Sequence, residues 1–250
     1  MIFITGDCHA DWRKFNTECF PEQKEMTLND YIIVTGDFGI WDNSKREKWW
    51  LDWMAKKNFT ILFVDGNHEN FDLLNKYPIK EWKGGKVHFI RKNVIHLMRG
   101  QIYNIDGKTF FTFGGANSHD ISDGILEPTD PNFKDKKKKL DRLGKFRYRI
   151  NHETWWKEEF PSDEEMELGI KNLKENNNKV NFIISHDCPT SIMKQLDRYH
   201  DEYKEDKLTE YFEEIKNNID FNIWFFGHHH ENQKIENKFI CLYEQIVQLC

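Results

Sequence analysis

Five short segments of this chain carry aspartate, asparagine and histidine at spacings that suit divalent cations. Asp7-Cys8-His9 sets a carboxylate and an imidazole two residues apart. In extended backbone residues i and i+2 face the same way, so Asp7 and His9 can grip one ion while Cys8 turns aside. Gly227-His228-His229-His230 repeats the logic with two imidazoles, His228 and His230, on one side and His229 on the other. Asp37 follows Gly36, which lets the backbone turn sharply, and the two oxygens of the carboxylate can bridge two cations. Asn67 and His68, after Gly66, place a neutral oxygen donor beside a titratable imidazole, and His186 ends an apolar run. Taken singly, these residues have ordinary explanations: a capping Asp7 beside a surface histidine, Asn67 capping a helix near Glu69, His186 satisfied in the core. Their conjunction is the specific signal. Carboxylate, imidazole and amide donors without cysteine suit manganese, iron, nickel or zinc, and the donor set does not choose among these.

The elements that must position these groups are visible as short apolar runs, each stopping at a candidate ligand. Ile2 to Thr5 leads into Asp7, Tyr31 to Thr35 into Asp37, Thr60 to Val64 into Asn67, Val180 to Ser185 into His186, and Asn222 to Phe226 into His228. Phe110 to Phe113 leads into Gly114-Gly115-Ala116-Asn117-Ser118. Such runs read as buried strands, and their ends fall on the rim of a sheet, where open α/β folds place ligands. Helices alternate with them: Ser44 to Asn58 and Ser162 to Asn176 each open with a Ser-x-x-Glu capping box, and Asp206 to Asn218 is a third. Lys86 to Ile105 and Lys238 to Tyr243 read as further β segments, so a purely parallel sheet is excluded in favour of a layered α/β fold with one mixed sheet or two. We expect one domain over residues 1–250, with an insertion at Ile121 to Ile150. That stretch lacks a clear period and carries the basic run Lys136 to Lys139, either solvated surface or a mobile lid or partner-binding loop beside the site.

The bulk properties agree. The chain has 250 residues, 38% hydrophobic and 31% charged, with 9 Trp and 20 Phe to fill a core, which excludes a disordered class. No run reaches the roughly 18 to 20 apolar residues of a membrane span, and the N-terminus has no signal-peptide pattern; a cytoplasmic protein is expected. Five cysteines with no close pair of zinc-finger spacing point to reduced thiols. A net charge of -6 gives no general attraction for nucleic-acid phosphates, although a local basic groove is compatible with it.

Other residues offer secondary roles. Arg99, Arg147 and Arg149 have the geometry to fork onto a phosphate, against the alternative of surface ion pairs; Arg99 and Arg149 are the candidates for substrate binding. Asp120 and Asp123 read as loop-capping or supporting groups. Trp155 and Trp156 suit either stacking of a nucleobase or anchorage of the helix that follows. Cys8 and Cys188 lie within two residues of candidate ligands, where oxidation would disturb the site and compact packing is the plainer role.

The ordered pattern Asp7-x-His9, Gly36-Asp37, Gly66-Asn67-His68-Glu69, His186 and Gly227-His228-x-His230 resembles the calcineurin-like metallophosphoesterase superfamily. The resemblance spans nearly the whole chain and implies a central β-sandwich of mixed sheets flanked by helices. It also implies Asp37 between two metals, Asp7, His9 and His230 completing one site, and Asn67, His186 and His228 the other, with His68 outside the ligand shell as an acid or phosphate-stabilising group. Gly36-Asp37-Phe38-Gly39 lacks the Asp-Arg-Gly stretch of protein Ser/Thr phosphatases. Phe113 to Ser118 and Trp155 to Ser162 resemble a bacterial and phage-associated branch of unassigned substrate. The implied chemistry is hydrolysis of a phosphate ester by a hydroxide generated between two cations about 3.5 to 4 Å apart, which lower the pKa of a water from 15.7 to about 7. A small phosphodiester or nucleotide-like ester is the favoured substrate. The alternatives are a nuclease acting on single strands and a metal-stabilised binding protein without turnover.

Overall fold

Three runs of four residues, buried throughout, lie side by side and parallel: β1 (Ile2–Thr5), β2 (Tyr31–Val34) and β3 (Thr60–Phe63). Their composition explains the burial. Strands covered on both faces read as unbroken apolar runs, and alternate residues serve opposite layers. Ile4, Ile33 and Leu62 face one core, whereas Phe3, Ile32, Val34, Ile61 and Phe63 face another. The hairpin of β4 (Ile79–Trp82) and β5 (Gly85–Arg91) continues the sheet through β6 (Val94–Leu97), which pairs parallel with β3 and antiparallel with β5.

A second sheet begins with the antiparallel pair β7 (Gln101–Ile105) and β8 (Lys108–Phe113). The chain then leaves it for a small parallel pair, β9 (Gly124–Leu126) and β10 (Tyr148–Ile150). It returns as β11 (Phe182–Ser185) and β12 (Ile223–Phe226), parallel to β8, and finishes with β13 (Gln233–Ile235) and β14 (Phe239–Cys241). β15 (Ile246–Gln248) crosses back to lie antiparallel to β1 at the edge of the first sheet. This computed structural model describes residues 1–196 and 204–249; Cys250 lies outside them.

The inner faces of the two mixed sheets meet in one apolar layer, with Ile4, Ile33, Leu62 and Ile95 opposite Phe110, Phe182, Ile184 and Phe225. Helices cover the outer faces. α1 (Lys45–Met54) brings Leu51 and Met54 onto the first sheet, and α2 (Phe71–Leu74) adds Phe71 and Leu74. Beyond α3 (Phe133–Arg142), the helices α4 (Asp163–Glu175), α5 (Thr190–Met193) and α6 (Lys207–Asn218) cover the second sheet with Leu173, Ile192, Phe212 and Ile215. The fold is a layered α/β sandwich of two mixed sheets flanked by helices.

The capping signals are realised unequally. Ser162 and Glu165 form the reciprocal box that starts α4. Ser44 accepts the Glu47 N–H at 3.0 Å, but the Glu47 carboxylate turns away to accept from the backbone of Trp41 and Asp42, both at 2.8 Å, so half of that box forms and α1 ends at Met54. The 121–150 stretch is not without regular structure. It contains β9, α3 and β10, and Lys136 to Lys139 sit on α3, where Lys136 pairs with Asp130 and Lys137 with Asp141. No residue of α3 is buried, which explains the missing period: a helix without a covered face needs no apolar stripe. Among the described residues no helix is long and apolar enough to cross a membrane. Cys8, Cys19, Cys188 and Cys241 are all unpaired.

Candidate functional site

All five segments converge at the C-terminal ends of the central strands, where both sheets open onto one rim. Asp7 and His9 follow β1, Asp37 follows β2, and Asn67 and His68 follow β3, all from the first sheet. His186 follows β11, and His228 and His230 follow β12, from the second. The site is therefore built across the sandwich. Asp7, Asp37, Asn67, His186 and His228 are buried.

Glycines make this convergence possible. A side chain at Gly66 would place its Cβ 2.1 Å from Asp37 Oδ1, and one at Gly227 would lie 2.2 Å from Asp7 Oδ1. Both are well inside van der Waals contact. The backbone itself departs from the extended form inferred for Asp7 to His9 and His228 to His230. His9, Asp37, His228 and His230 have φ of 47°, 44°, 65° and 52°, in the left-handed region that side chains with a Cβ seldom take. Side chains two residues apart still share the site, but through tight left-handed turns rather than strand alternation. His229 does turn away, to Asp187 Oδ1 at 3.1 Å.

Two groups of donors adjoin Asp37. In the first, His9 Nε2 lies 3.6 Å from Asp7 Oδ2 and 3.7 Å from Asp37 Oδ2, while His230 Nε2 lies 3.3 Å from Asp7 Oδ2 and 2.9 Å from His9 Nε2. In the second, His186 Nε2 lies 3.5 Å from Asp37 Oδ1 and 3.2 Å from Asn67 Oδ1, with the His228 ring 5.0 Å from that of His186. Asp7 Oδ2 is buried and has no hydrogen-bond partner. A buried carboxylate oxygen left without a donor, ringed by imidazole nitrogens, fits a divalent cation better than it fits the protein alone. The donor chemistry agrees.

The electrostatics describe the same arrangement. Burial opposes the charge of Asp7, yet His230 and His9 beside it hold its carboxyl well below the usual range. Burial also opposes charge on Asp37, but His186 and His68 bring it to about 2. His186 is pushed up to about 10 because Asp37 and Asp7 outweigh its burial, whereas burial carries His228 well below the ordinary imidazole value. Burial likewise lowers His68, against the pull of Asp37, with His9 and Arg149 adding to the lowering.

His68 is half-buried, its backbone N–H donates to Asp37 Oδ1 at 2.9 Å, and its ring stands 5.4 Å from that of His9. Arg149 pairs with Asp120 close enough to influence His68, so this arginine reaches the rim. Arg99 does not. It is buried in a fork onto Asp65, reaches Glu165 at 3.1 Å and donates to the Glu158 carbonyl at 2.8 Å, so the expectation that it meets substrate gives way to a structural ion pair. Arg147 donates its backbone N–H to Asp123 and lines a cleft of about 390 Å³ that also touches Ser118 and His228. Trp156 is core, its indole N–H donating to Asp72 at 2.8 Å, which leaves its stacking role unfilled. Cys8 and Cys188 are buried, and burial pushes the Cys8 thiol up to about 12.

Several supporting residues lie in the motif stretches without a role that the sequence assigned them. Glu69 accepts from the backbone N–H of Phe38 at 2.6 Å, Gly39 at 3.1 Å and Gly66 at 2.7 Å, and so ties the Asp37 and Asn67 loops together. Ser118 donates to Glu159 Oε2 at 2.8 Å and accepts from Asn67 Nδ2 at 3.2 Å. Because its proton is committed to Glu159, Ser118 can only accept from Asn67, which turns the amide oxygen toward His186. Tyr243 stacks on His230 at 4.4 Å. The signals were present as the Gly114 to Ser118 and Trp155 to Ser162 stretches, but nothing in the sequence paired Ser118 with Glu159.

The family described as calcineurin-like phosphoesterase matches residues 1–232. Among curated proteins, lariat debranching enzyme A of Xenopus laevis is 24% identical over 255 residues, which covers 92% of this chain and 42% of that protein. The chain thus spans less than half the length of that relative. A solved structure of phosphopantetheinyl hydrolase from Mycobacterium tuberculosis aligns over 97% of this chain and 89% of its own, with 11% identity and a TM-score of 0.44.

Proposed function

Because the chain belongs to the calcineurin-like phosphoesterase family, we propose that it hydrolyses a small phosphodiester or nucleotide-like phosphate ester with two divalent cations, manganese, iron, nickel or zinc, as its cofactors. The observation that carries this reading is Asp37, a buried carboxylate with one oxygen 3.7 Å from His9 and the other 3.5 Å from His186. A group so placed serves two centres at once. Asp7, His9 and His230 would hold one cation with it, and Asn67, His186 and His228 the other. When bound, such ions polarise phosphoryl oxygens and make a strong nucleophile of water near neutral pH.

The remaining work falls to the chain's own groups. His68, half-buried beside the cluster and held by its backbone bond to Asp37, would pass a proton to the departing alkoxide. Arg149, steadied by Asp120, offers a positive charge on the same side for a non-bridging oxygen. Ser118 and Glu159 keep the Asn67 oxygen facing inward. A nuclease reading draws some support from the similarity to a debranching enzyme, but the chain's net charge of -6 lacks the electrostatic footprint of a protein that follows a long polyanion.

Hydrolysis of bis-p-nitrophenyl phosphate, measured with each metal in turn and then with excess chelator, tests the reading. Turnover that appears with metal and disappears with chelator is expected. A metal-loaded protein inert toward this diester, mononucleotides and dinucleotides alike would make it a binding protein instead.

A further inference from the structure

A cavity of about 460 Å³ adjoins His9. Three tryptophans line it: Trp12, Trp41 and Trp50. Trp41 is 36% exposed, and its ring stands 6.4 Å from that of His9 and 6.5 Å from that of His68. An indole left open to water at the mouth of a site leaves a face free for another planar group. Trp12, 1% exposed and part of the core, backs the cavity wall. Arg13 and Arg46 line it together with Asp11, Asp42 and Glu47, and Arg13 is paired with Asp11, so the wall carries no net positive charge. The volume falls within the range of small-ligand sites.

We propose that this cavity is the subsite for the part of the substrate beyond the scissile ester, and that it takes a nucleobase: a planar heterocycle that stacks on Trp41. The inference rests on the phosphoesterase reading and narrows it to esters that carry a base. It replaces Trp155 and Trp156, the aromatic pair that the sequence offered for stacking, with Trp41. A base in this cavity sets its sugar phosphate beside His9 and His68, where the ester must lie.

The test is calorimetric titration of the full chain, with and without manganese, using adenosine 5′-monophosphate and ribose 5-phosphate, which share sugar and phosphate and differ in the base. The nucleotide is expected to bind about 10- to 100-fold more tightly, the range that stacking of one base provides. Trp41→Ala should erase that difference and Trp41→Phe should keep most of it. Equal affinity for the two ligands in the wild type overturns the proposal, as does a Trp41→Ala protein that still discriminates. Diesterase activity without base discrimination sinks the subsite and leaves the phosphoesterase reading standing; discrimination without turnover on any ester does the reverse.

Discussion

At the scale of single residues, Asp37 and His230 make opposite demands on the two donor groups. Asp37→Asn removes charge shared by both and should lower bound metal from about two ions per chain to below one, whereas His230→Ala should cost about one; elemental analysis after gel filtration separates these outcomes. His68 should behave differently again. His68→Asn should leave metal content nearly intact and slow turnover roughly 100- to 10,000-fold, with a smaller loss for a p-nitrophenyl ester, whose leaving group needs no proton, than for a ribose ester. Ser118 orients Asn67, so Ser118→Ala should weaken metal binding about 10- to 100-fold and Ser118→Thr should restore it; isothermal titration with manganese gives both numbers. The seven candidate ligands were legible because side-chain type and position after a strand are local properties of sequence. Arg99 was misplaced for the converse reason. Its partner Asp65 is 34 residues away in sequence and on another strand's end, and no spacing rule reports that the two are buried together.

At the scale of elements, the strands that lead into the site were easy to recognise because they are buried almost throughout and mostly apolar, whereas β4, with three of its four residues exposed, and α3, with none buried, carry no such mark. The region behind the site was also silent in sequence, and it holds a chain of titratable groups. His88 Nδ1 meets His96 Nδ1 at 3.1 Å across β5 and β6, His96 Nε2 meets Asp65 Oδ1 at 3.0 Å, and Asp65 binds Arg99. Burial, reinforced by His96, carries His88 from the usual 6.5 down to about 4. The folded protein therefore holds this imidazole neutral where the unfolded chain would protonate it. Stability contributed in this way is complete above pH 6.5 and is lost as pH falls from 6.5 toward 4. Urea unfolding at pH 7.5 and pH 5 should show a lower midpoint at pH 5, and His88→Gln should flatten that dependence; an unchanged slope in the variant would assign the loss to other groups. Gly66 belongs to this scale as well. Gly66→Ala drives a methyl into Asp37, so the turn after β3 must shift and both metal content and turnover should fall together.

At the scale of the whole molecule, the proposed ligands come from both sheets, so cations held by them would clasp the two together. Metal that binds only the folded form stabilises it by about 2.7 kcal/mol at a hundred times the dissociation constant, which for a chain of this size raises the melting temperature by roughly 5 to 11 °C. Differential scanning calorimetry with and without manganese checks this, and a shift below 1 °C at saturating metal would separate site from sandwich. The left-handed backbone at His9, Asp37, His228 and His230 carries a cost. Glycine or asparagine would hold those turns more cheaply, by about 1 kcal/mol at each position. His230 is exposed, so His230→Gly leaves no void and should melt higher than wild type in chelator. Strain of this kind, gathered at four of the seven candidate ligands, is fold stability given over to the placing of side chains.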